Sequence, residues 1–179
     1  MFDPATHAVR IRAPRGEELR TDVAELLPLI APPGREPART MAVLARQPDL
    51  LSPFLGWAAA LALNGVLSHR DHELLALRAA WNCGSEFEWV EHVEYAREAG
   101  LTEDEIAHVA GSIDDGTWAP TERALLEAAD ELHTDRDISD ATWTALAAHH
   151  DAPALVEILF VVGQYTMLSM VANAAGIPA

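Results

Sequence analysis

The sequence predicts an all-α fold, a single-domain helical bundle. Ala, Leu and Glu are abundant, β-branched runs are few, and apolar residues recur at spacings of three and four along the 179-residue chain. No stretch shows the alternation of apolar and polar residues that is typical of a half-buried strand. Half of the residues are hydrophobic, enough for one sizeable core, so we expect residues 1–179 to form one domain.

Helix breakers and capping residues divide the chain into successive helices. After an irregular start over residues 1–14, the expected helices span residues 17–30, 39–46, 48–64, 68–82, 85–99, 102–110, 121–133, 139–149 and 152–175. Ala-Pro-Pro-Gly at 31–34 ends the first helix, and the short second helix stops before Pro48. Apolar residues are so dense in the third that most of its faces must be covered, and Asn64-Gly65 ends it.

Polar capping residues define the middle helices. Ser68 is a natural N-cap for the fourth helix, and Cys83-Gly84 breaks the chain before Ser85 starts the fifth. Thr102 and Glu105 form a capping box at the start of the sixth, because each side chain can bond a backbone N–H of the other residue. These local signals make the limits of the three helices firm predictions.

The last three helices follow a loop at residues 111–120. The final one, 152–175, approaches the length of a membrane span, but Glu157, Gln164 and Asn173 interrupt its apolar run. We therefore expect a buried core helix and no membrane partner.

Charge and cysteine content limit the possible functions. The formal net charge of -16 repels phosphate backbones and anionic membrane surfaces, so a nucleic-acid partner is not expected. Cys83 is the only cysteine, which excludes a disulfide or a Cys-x-x-Cys redox pair within one chain. The first residues lack the apolar segment of a secretory signal. Together these features predict a cytoplasmic protein.

The pair that is most suggestive of chemistry is Glu88 and His92, which lie one turn apart on one helical face. A carboxylate beside an imidazole can raise the imidazole pKa and prepare it for proton transfer, although such a pair can also be a solvated ion pair. Glu73 falls on an apolar stripe and needs a partner, either Arg78 or a residue of the next helix. It is as compatible with a structural ion pair as with catalysis.

Other candidates have competing structural interpretations. Trp89 can form a pocket wall, but its apolar neighbours favour a place in the core. His69 and His72 do not have the spacing of an HExxH-type site, so no metal is expected. Glu157 and Tyr165 either line the same cavity or tie helices together.

The region from Leu67 to Ile106 resembles the carboxymuconolactone decarboxylase family, whose core motif region corresponds to residues 45–130. The residues that carry the resemblance are Arg70, Glu73, Leu77, Arg78, Glu86-Phe87-Glu88-Trp89, His92, Ala96-Arg97, Gly100-Leu101 and Glu105-Ile106, with further matches at Glu131-Leu132-His133, Ile138-Ser139-Asp140, Tyr165-Thr166-Met167-Leu168 and Asn173-Ala174-Ala175-Gly176. The resemblance implies the helical fold of the alkylhydroperoxidase D (AhpD)-like superfamily.

The redox branch of that superfamily has two cysteines before its histidine and a glutamate further upstream. The corresponding positions here are Ser85, Glu88, His92 and Glu73, so the proton-relay glutamate and histidine are present and both thiols are missing. Disulfide exchange needs an attacking and a resolving thiol, and Cys83 is out of register. A peroxidase is therefore the disfavoured alternative.

The decarboxylase branch implies an enzyme that needs no metal or organic cofactor. By that resemblance, His92, Glu88 and Glu73 are the expected catalytic residues, and Trp89, Arg78 and Tyr165 the expected substrate-binding residues. The implied substrate is a small carboxylated lactone or keto acid, which undergoes decarboxylation or proton transfer. The family also implies a homo-oligomer, a dimer, trimer or hexamer. The remaining alternative is a non-catalytic oligomeric ligand-binding protein.

Overall fold

A computed structural model describes residues 8–29 and 37–179 of the chain. It contains helices and turns, and this described part contains no strand, as the sequence predicts. The helices are α1 (Thr21–Leu26), α2 (Arg39–Leu44), α3 (Pro48–Leu63), α4 (His69–Asn82), α5 (Glu86–Glu98), α6 (Glu103–Val109), α7 (Pro120–Thr134), α8 (Asp140–Ala147) and α9 (Ala152–Ala175).

The predicted caps are formed. Ser68 Oγ accepts the Asp71 N–H at 3.1 Å, and Ser85 Oγ accepts the Glu88 N–H at 3.4 Å. At the start of α6 the Glu105 carboxylate accepts the Thr102 N–H at 2.8 Å, and Thr102 Oγ1 accepts the Glu105 N–H at 3.2 Å, which completes the capping box. The limits of α4, α5 and α6 thus follow from side chains within one turn of each helix start.

The first expected helix, 17–30, is shorter and less regular than predicted. Only Thr21–Leu26 is α-helical, with one 3₁₀ turn before it and another over Leu27–Leu29. Pro28 explains the tighter second turn, because proline cannot donate an i→i−4 hydrogen bond and its ring clashes with the preceding turn. Its predicted last residue, Ile30, the breaker at 31–34 and the first seven residues lie outside the described part, whereas residues 8–14 are irregular as expected.

The core forms around α4, which packs against α5, α7 and α9. Leu75, Ala76 and Ala79 of α4 are buried against residues of α7 and α9. On its other side, Leu74 and Leu77 are buried against residues of α5, α6 and α7. Helix α4 is therefore enclosed almost completely, and polar side chains that it carries are drawn into the interior with it.

Helix α3 is less covered than its composition predicts. Among its residues only Leu51 is buried, and Leu50, Trp57 and Leu63 are exposed. The expectation that most of its faces are covered is wrong within this chain, because α3 packs mainly beside α2 and forms one wall of a cavity.

Helix α9 is long and apolar enough to cross a membrane by length and composition, a test that core helices of soluble proteins also pass. Ile158, Val161, Val162 and Tyr165 of this helix belong to the main core cluster. That packing agrees with the predicted core helix.

Candidate acid–base site

The crossing of α4 and α5 brings Glu73 and His92 together. His92 Nδ1 lies 2.7 Å from Glu73 Oε2, and both residues are buried. Of the two partners that the sequence left open for Glu73, the structure selects the residue of the next helix rather than Arg78. One nitrogen of the imidazole is thus held by a carboxylate at hydrogen-bonding distance.

The other ring nitrogen of His92 faces Glu88, one helical turn earlier. Nε2 lies 3.9 Å from Glu88 Oε2, which is beyond hydrogen-bonding distance. Glu88 Oε1 is buried and has no hydrogen-bond partner among the described residues. The imidazole therefore lies between two carboxyl groups, one of which is bound tightly while the other is separated by a gap.

The electrostatics of the pair follow from burial. Burial raises the pKa of Glu88 to about 7, and the attraction of His92 offsets this only in part. Burial by itself lowers the pKa of His92, but the neighbouring carboxylates, Glu73 first among them, outweigh it and raise that pKa above its usual value. Near neutral pH the site thus holds a carboxyl group that can donate a proton beside an imidazole that favours its protonated form.

Tyr165 and His72 complete the polar cluster. The Tyr165 hydroxyl lies 2.8 Å from His72 Nε2, and the Tyr165 ring contacts the His92 ring edge-on with centroids 4.3 Å apart. His72 precedes Glu73 in sequence, yet its side chain reaches α9 rather than α5. Sequence reasoning considered His72 only as a metal ligand, because its partner is 93 residues away.

A cavity of about 1050 Å³ opens onto these side chains. Its polar part is lined by Glu73, Glu88 and His92 together with Tyr165. Its apolar lining comes largely from α3, through Phe54, Leu55, Ala58, Ala59 and Ala62. A pocket with an apolar wall and a few convergent polar groups is the usual form of a small-molecule site.

Glu91 and Tyr95 also line the cavity, and neither is a site residue predicted from the sequence. Tyr95 lies three residues after His92, and its ring centroid is 5.6 Å from that of His92. Glu91 is three residues after Glu88 and Tyr95 three after His92, and this helical spacing is the signal that points to both.

Arg78 does not reach the cavity, contrary to the expectation that it binds substrate. Its guanidinium forms two bonds of 2.6 Å to the Asp130 carboxylate and donates to the carbonyls of Val109 and Gly111, each at 2.7 Å. Arg78 is buried, and these four bonds occupy its forked donor groups. It ties α4 to α7 and to the end of α6.

Trp89 is likewise not among the described residues that line the cavity. It packs against the cluster formed by α4, α5 and α6, and its ring centroid lies 5.8 Å from that of Trp81. The core interpretation that its apolar neighbours favoured agrees with this position, and a role as pocket wall does not.

Glu157 is a structural acceptor. Its carboxylate accepts the backbone N–H of Val66 at 2.5 Å and of Leu67 at 3.4 Å, so it fixes the segment that leads into α4. Of the two interpretations offered by the sequence, the tie between helices fits these contacts.

Cys83 lies apart from the acid–base cluster. Its sulfur is 3.8 Å from His133 Nδ1, and it is not among the described residues lining the cavity. Burial raises the pKa of this thiol. At the positions where redox relatives carry cysteines, Ser85 caps α5 and Glu88 faces His92.

The described residues contain no group of three or more His, Cys, Asp or Glu side chains arranged to hold a metal ion. His69 and His72 both line the cavity, and His72 Nε2 contacts the Tyr165 hydroxyl.

Comparison with known proteins agrees with the helical architecture. Residues 48–131 match the sequence profile of the carboxymuconolactone decarboxylase family. No protein of curated function matches the chain significantly.

Three solved structures share the fold. A peroxidase-related protein from Silicibacter sp. TM1040 has a TM-score of 0.82 at 16% identity, with 93% of this chain and 89% of that chain covered. A peroxidase-related protein with an alkylhydroperoxidase AhpD core from Ralstonia eutropha JMP134 has a TM-score of 0.69 at 22% identity, with coverage of 94% and 90%. A protein of unknown function from Agrobacterium tumefaciens, proposed as an antioxidant defence protein AhpD, has a TM-score of 0.68 at 23% identity, with coverage of 73% and 90%.

Proposed function

We propose, on the premise that residues 48–131 match the profile of the carboxymuconolactone decarboxylase family, a cofactor-independent enzyme that performs acid–base chemistry. The reaction is decarboxylation or proton transfer on a small carboxylated lactone or keto acid. The observation that carries the proposal is the buried Glu88 carboxyl, which has an unpartnered oxygen and faces an imidazole held by Glu73.

The two carboxyl groups have different environments and therefore different roles. Glu73 bonds His92 Nδ1, which fixes the ring and favours its cationic form. Glu88, with a pKa of about 7, carries a proton that it can give to a reacting carbon near neutral pH. An acid and a base are usually assigned to two titratable groups whose environments shift their pKa values in different ways.

In decarboxylation, the substrate carboxylate pairs with the His92 cation in the cavity. The bond between the carboxylate and its α-carbon breaks, carbon dioxide leaves, and the electron pair moves onto the adjacent carbonyl oxygen as an enolate. Glu88 then delivers its proton to the α-carbon and is left as a carboxylate, which regains a proton from solvent. Every step uses a side chain that lines the cavity.

A thiol peroxidase is less well supported. The single cysteine of the sequence, Cys83, lies away from the cavity and its thiol pKa is raised, whereas an attacking thiol needs thiolate character and a resolving partner. The hydroxyl of Ser85 is used as a helix cap. If the protein turns over none of the compounds tested, a non-catalytic ligand-binding role is the interpretation that remains.

The test is a screen of carboxylated lactones and small β-keto acids for release of carbon dioxide by the purified protein. We expect turnover with at least one compound, and a loss on the order of 10²–10⁴-fold in kcat for His92→Gln and for Glu88→Gln. Cys83→Ser is the matched control and should keep the rate. Retained turnover in His92→Gln would contradict the proposal, as would no turnover with any compound in the screen.

We also propose that the chain acts as a homo-oligomer in the cytoplasm. Helices α3 and α9 expose apolar side chains, which are Leu50, Trp57, Leu63, Val156, Leu159, Phe160, Met167, Met170 and Val171. Chains of net charge -16 repel one another, so an uncharged surface is where two copies can approach. Light scattering should give a mass that Met170→Glu lowers and that Val90→Glu, an exposed apolar position on α5, leaves unchanged. A monomeric wild-type protein would contradict this.

A further inference from the structure

Tyr165 and His72 form a hydrogen-bonded pair beside the proposed acid and base. The hydroxyl and His72 Nε2 are 2.8 Å apart, both residues line the cavity, and the Tyr165 ring lies against His92. The acid–base chemistry described above assigns no step to this pair. Its position at the reacting end of the cavity nevertheless gives it direct access to a bound molecule.

Both members of the pair are uncharged near neutral pH. Burial lowers the pKa of the His72 imidazole, and burial together with the carboxyls of Glu73 and Glu88 raises the pKa of the Tyr165 hydroxyl well above its usual value. A neutral imidazole carries a single N–H. When Nε2 carries that hydrogen, it donates to the tyrosine oxygen, and the phenolic hydrogen is left to point into the cavity.

The cavity has few positively charged donors for a developing negative charge. Among the described lining residues, Arg70 carries the only guanidinium, and Glu122 at 2.7 Å and Glu105 already bind it. His92 is committed on one side to Glu73. A neutral O–H donor next to His92 is therefore the group best placed for an oxygen that gains charge, because it adds no further charge to an acid-rich site.

We propose that Tyr165 donates a hydrogen bond to the substrate oxygen that gains negative charge, and that His72 is the positioning residue that directs the hydroxyl by donating from Nε2. This inference rests on the proposed function. The electron pair released at the α-carbon settles on the carbonyl oxygen, the Tyr165 hydroxyl keeps its proton, and Glu88 supplies the proton to carbon. The pair thus selects substrates with a carbonyl group adjacent to the reacting carbon.

The test uses a probe whose signal does not depend on turnover. 4-(Dimethylamino)cinnamaldehyde is a neutral aldehyde whose absorption band moves to longer wavelength when its carbonyl oxygen accepts a hydrogen bond. The sequence contains no lysine, so the probe cannot form a Schiff base with a lysine side chain. Tyr95, the only other tyrosine of the sequence, also lines the cavity and provides the matched control.

We expect a shift to longer wavelength on binding to the wild-type protein, its loss in Tyr165→Phe, and its retention in Tyr95→Phe. Loss of one hydrogen bond should weaken binding by roughly three- to tenfold. His72→Leu should lose the shift, and His72→Gln should restore part of it, because an amide nitrogen can replace the Nε2 donor. Circular dichroism and thermal unfolding identify any variant that fails to fold.

A wild-type protein that causes no shift overturns the inference, and so does a shift that survives in Tyr165→Phe. With a substrate from the screen, Tyr165→Phe should lower kcat by at least tenfold with little change in KM. If His92→Gln keeps full turnover while the probe shift still depends on Tyr165, the proposed acid–base function is wrong, but the inference that Tyr165 donates a hydrogen bond to a bound carbonyl still holds. The two failures are therefore distinguishable.

Discussion

Glu73 and His92 are 19 residues apart and belong to different helices, yet their side chains meet at 2.7 Å inside the protein. The contact depends on the break at Cys83-Gly84, which ends α4 and lets α5 return alongside it. It holds one ring nitrogen of the imidazole and leaves the other nitrogen directed at Glu88. The predictions below follow from this arrangement and from the side chains that hold α4 in place.

Glu88 should make the stability of the protein depend on pH. The pKa of this carboxyl is about 7 in the fold against an ordinary value of 4.5, so the folded chain binds more protons than the unfolded chain between these pH values. The free energy of unfolding therefore falls as pH rises from about 4.5 to about 7. Glu88→Gln removes this loss and should raise the free energy of unfolding at pH 8, relative to wild type, by on the order of 3 kcal/mol.

Urea unfolding at pH 4.5 and pH 8 measures this difference. Glu86→Gln, at an exposed glutamate of the same helix, is the control and should leave the pH dependence unchanged. His92 also has a raised pKa. Part of the fall in the free energy of unfolding, at pH values above the ordinary pKa of histidine, should therefore persist in both variants. An identical pH dependence in wild type and Glu88→Gln would show that Glu88 ionises normally.

Arg78 should stabilise the fold without taking part in turnover. Arg78→Met removes the donor of the Val109 and Gly111 carbonyls and leaves the Asp130 carboxylate with the Asn82 amide, and it should lower the free energy of unfolding by about 3 kcal/mol. Arg97→Met is the comparison, because its partners are on the surface, and it should lower the free energy of unfolding much less. Loss of activity in an Arg78→Met protein that still folds would indicate that Arg78 contributes to substrate binding after all.

Cys83 should be dispensable. Because its thiol is away from the cavity, Cys83→Ser should keep the turnover rate, and its midpoint of thermal unfolding should change little. Turnover assays in the presence and absence of a thiol reductant provide a second measurement, because the rate should be the same in both. A rate that collapses in Cys83→Ser, or that requires the reductant, would favour the thiol mechanism.

Glu157 should stabilise the segment that leads into α4. Its carboxylate accepts two backbone N–H groups, from Val66 and Leu67, so Glu157→Ala should cost about 2 kcal/mol of unfolding free energy. Glu157→Gln keeps one acceptor oxygen and should cost less. Equal stability of the alanine and glutamine variants would contradict the proposed bonds.

Local signals predicted much of the fold because they act within a turn or two. Ser68, Ser85 and Thr102 each cap their own helix, and the structure shows the corresponding bonds. The 3₁₀ turns around α1 were not predicted, since the effect of Pro28 depends on how the flanking residues pack.

The candidate site was predictable only where partners are close in sequence. Glu88 and His92 are one turn apart, so their proximity follows from the helix alone. Asp130, which binds Arg78, is 52 residues away, and no spacing rule reveals such a partner. The same holds for Tyr165 and His72, whose pairing exists only once α9 has packed on α4.

The protonation state of Glu88 tests the central claim most directly. Infrared difference spectra between wild type and Glu88→Gln isolate the carbonyl stretching band of this one carboxylic acid across a pH titration. The acid–base account predicts a protonated band that is present at pH 6 and disappears with a midpoint of about 7. A Glu88 that is already fully ionised at pH 6 would contradict it.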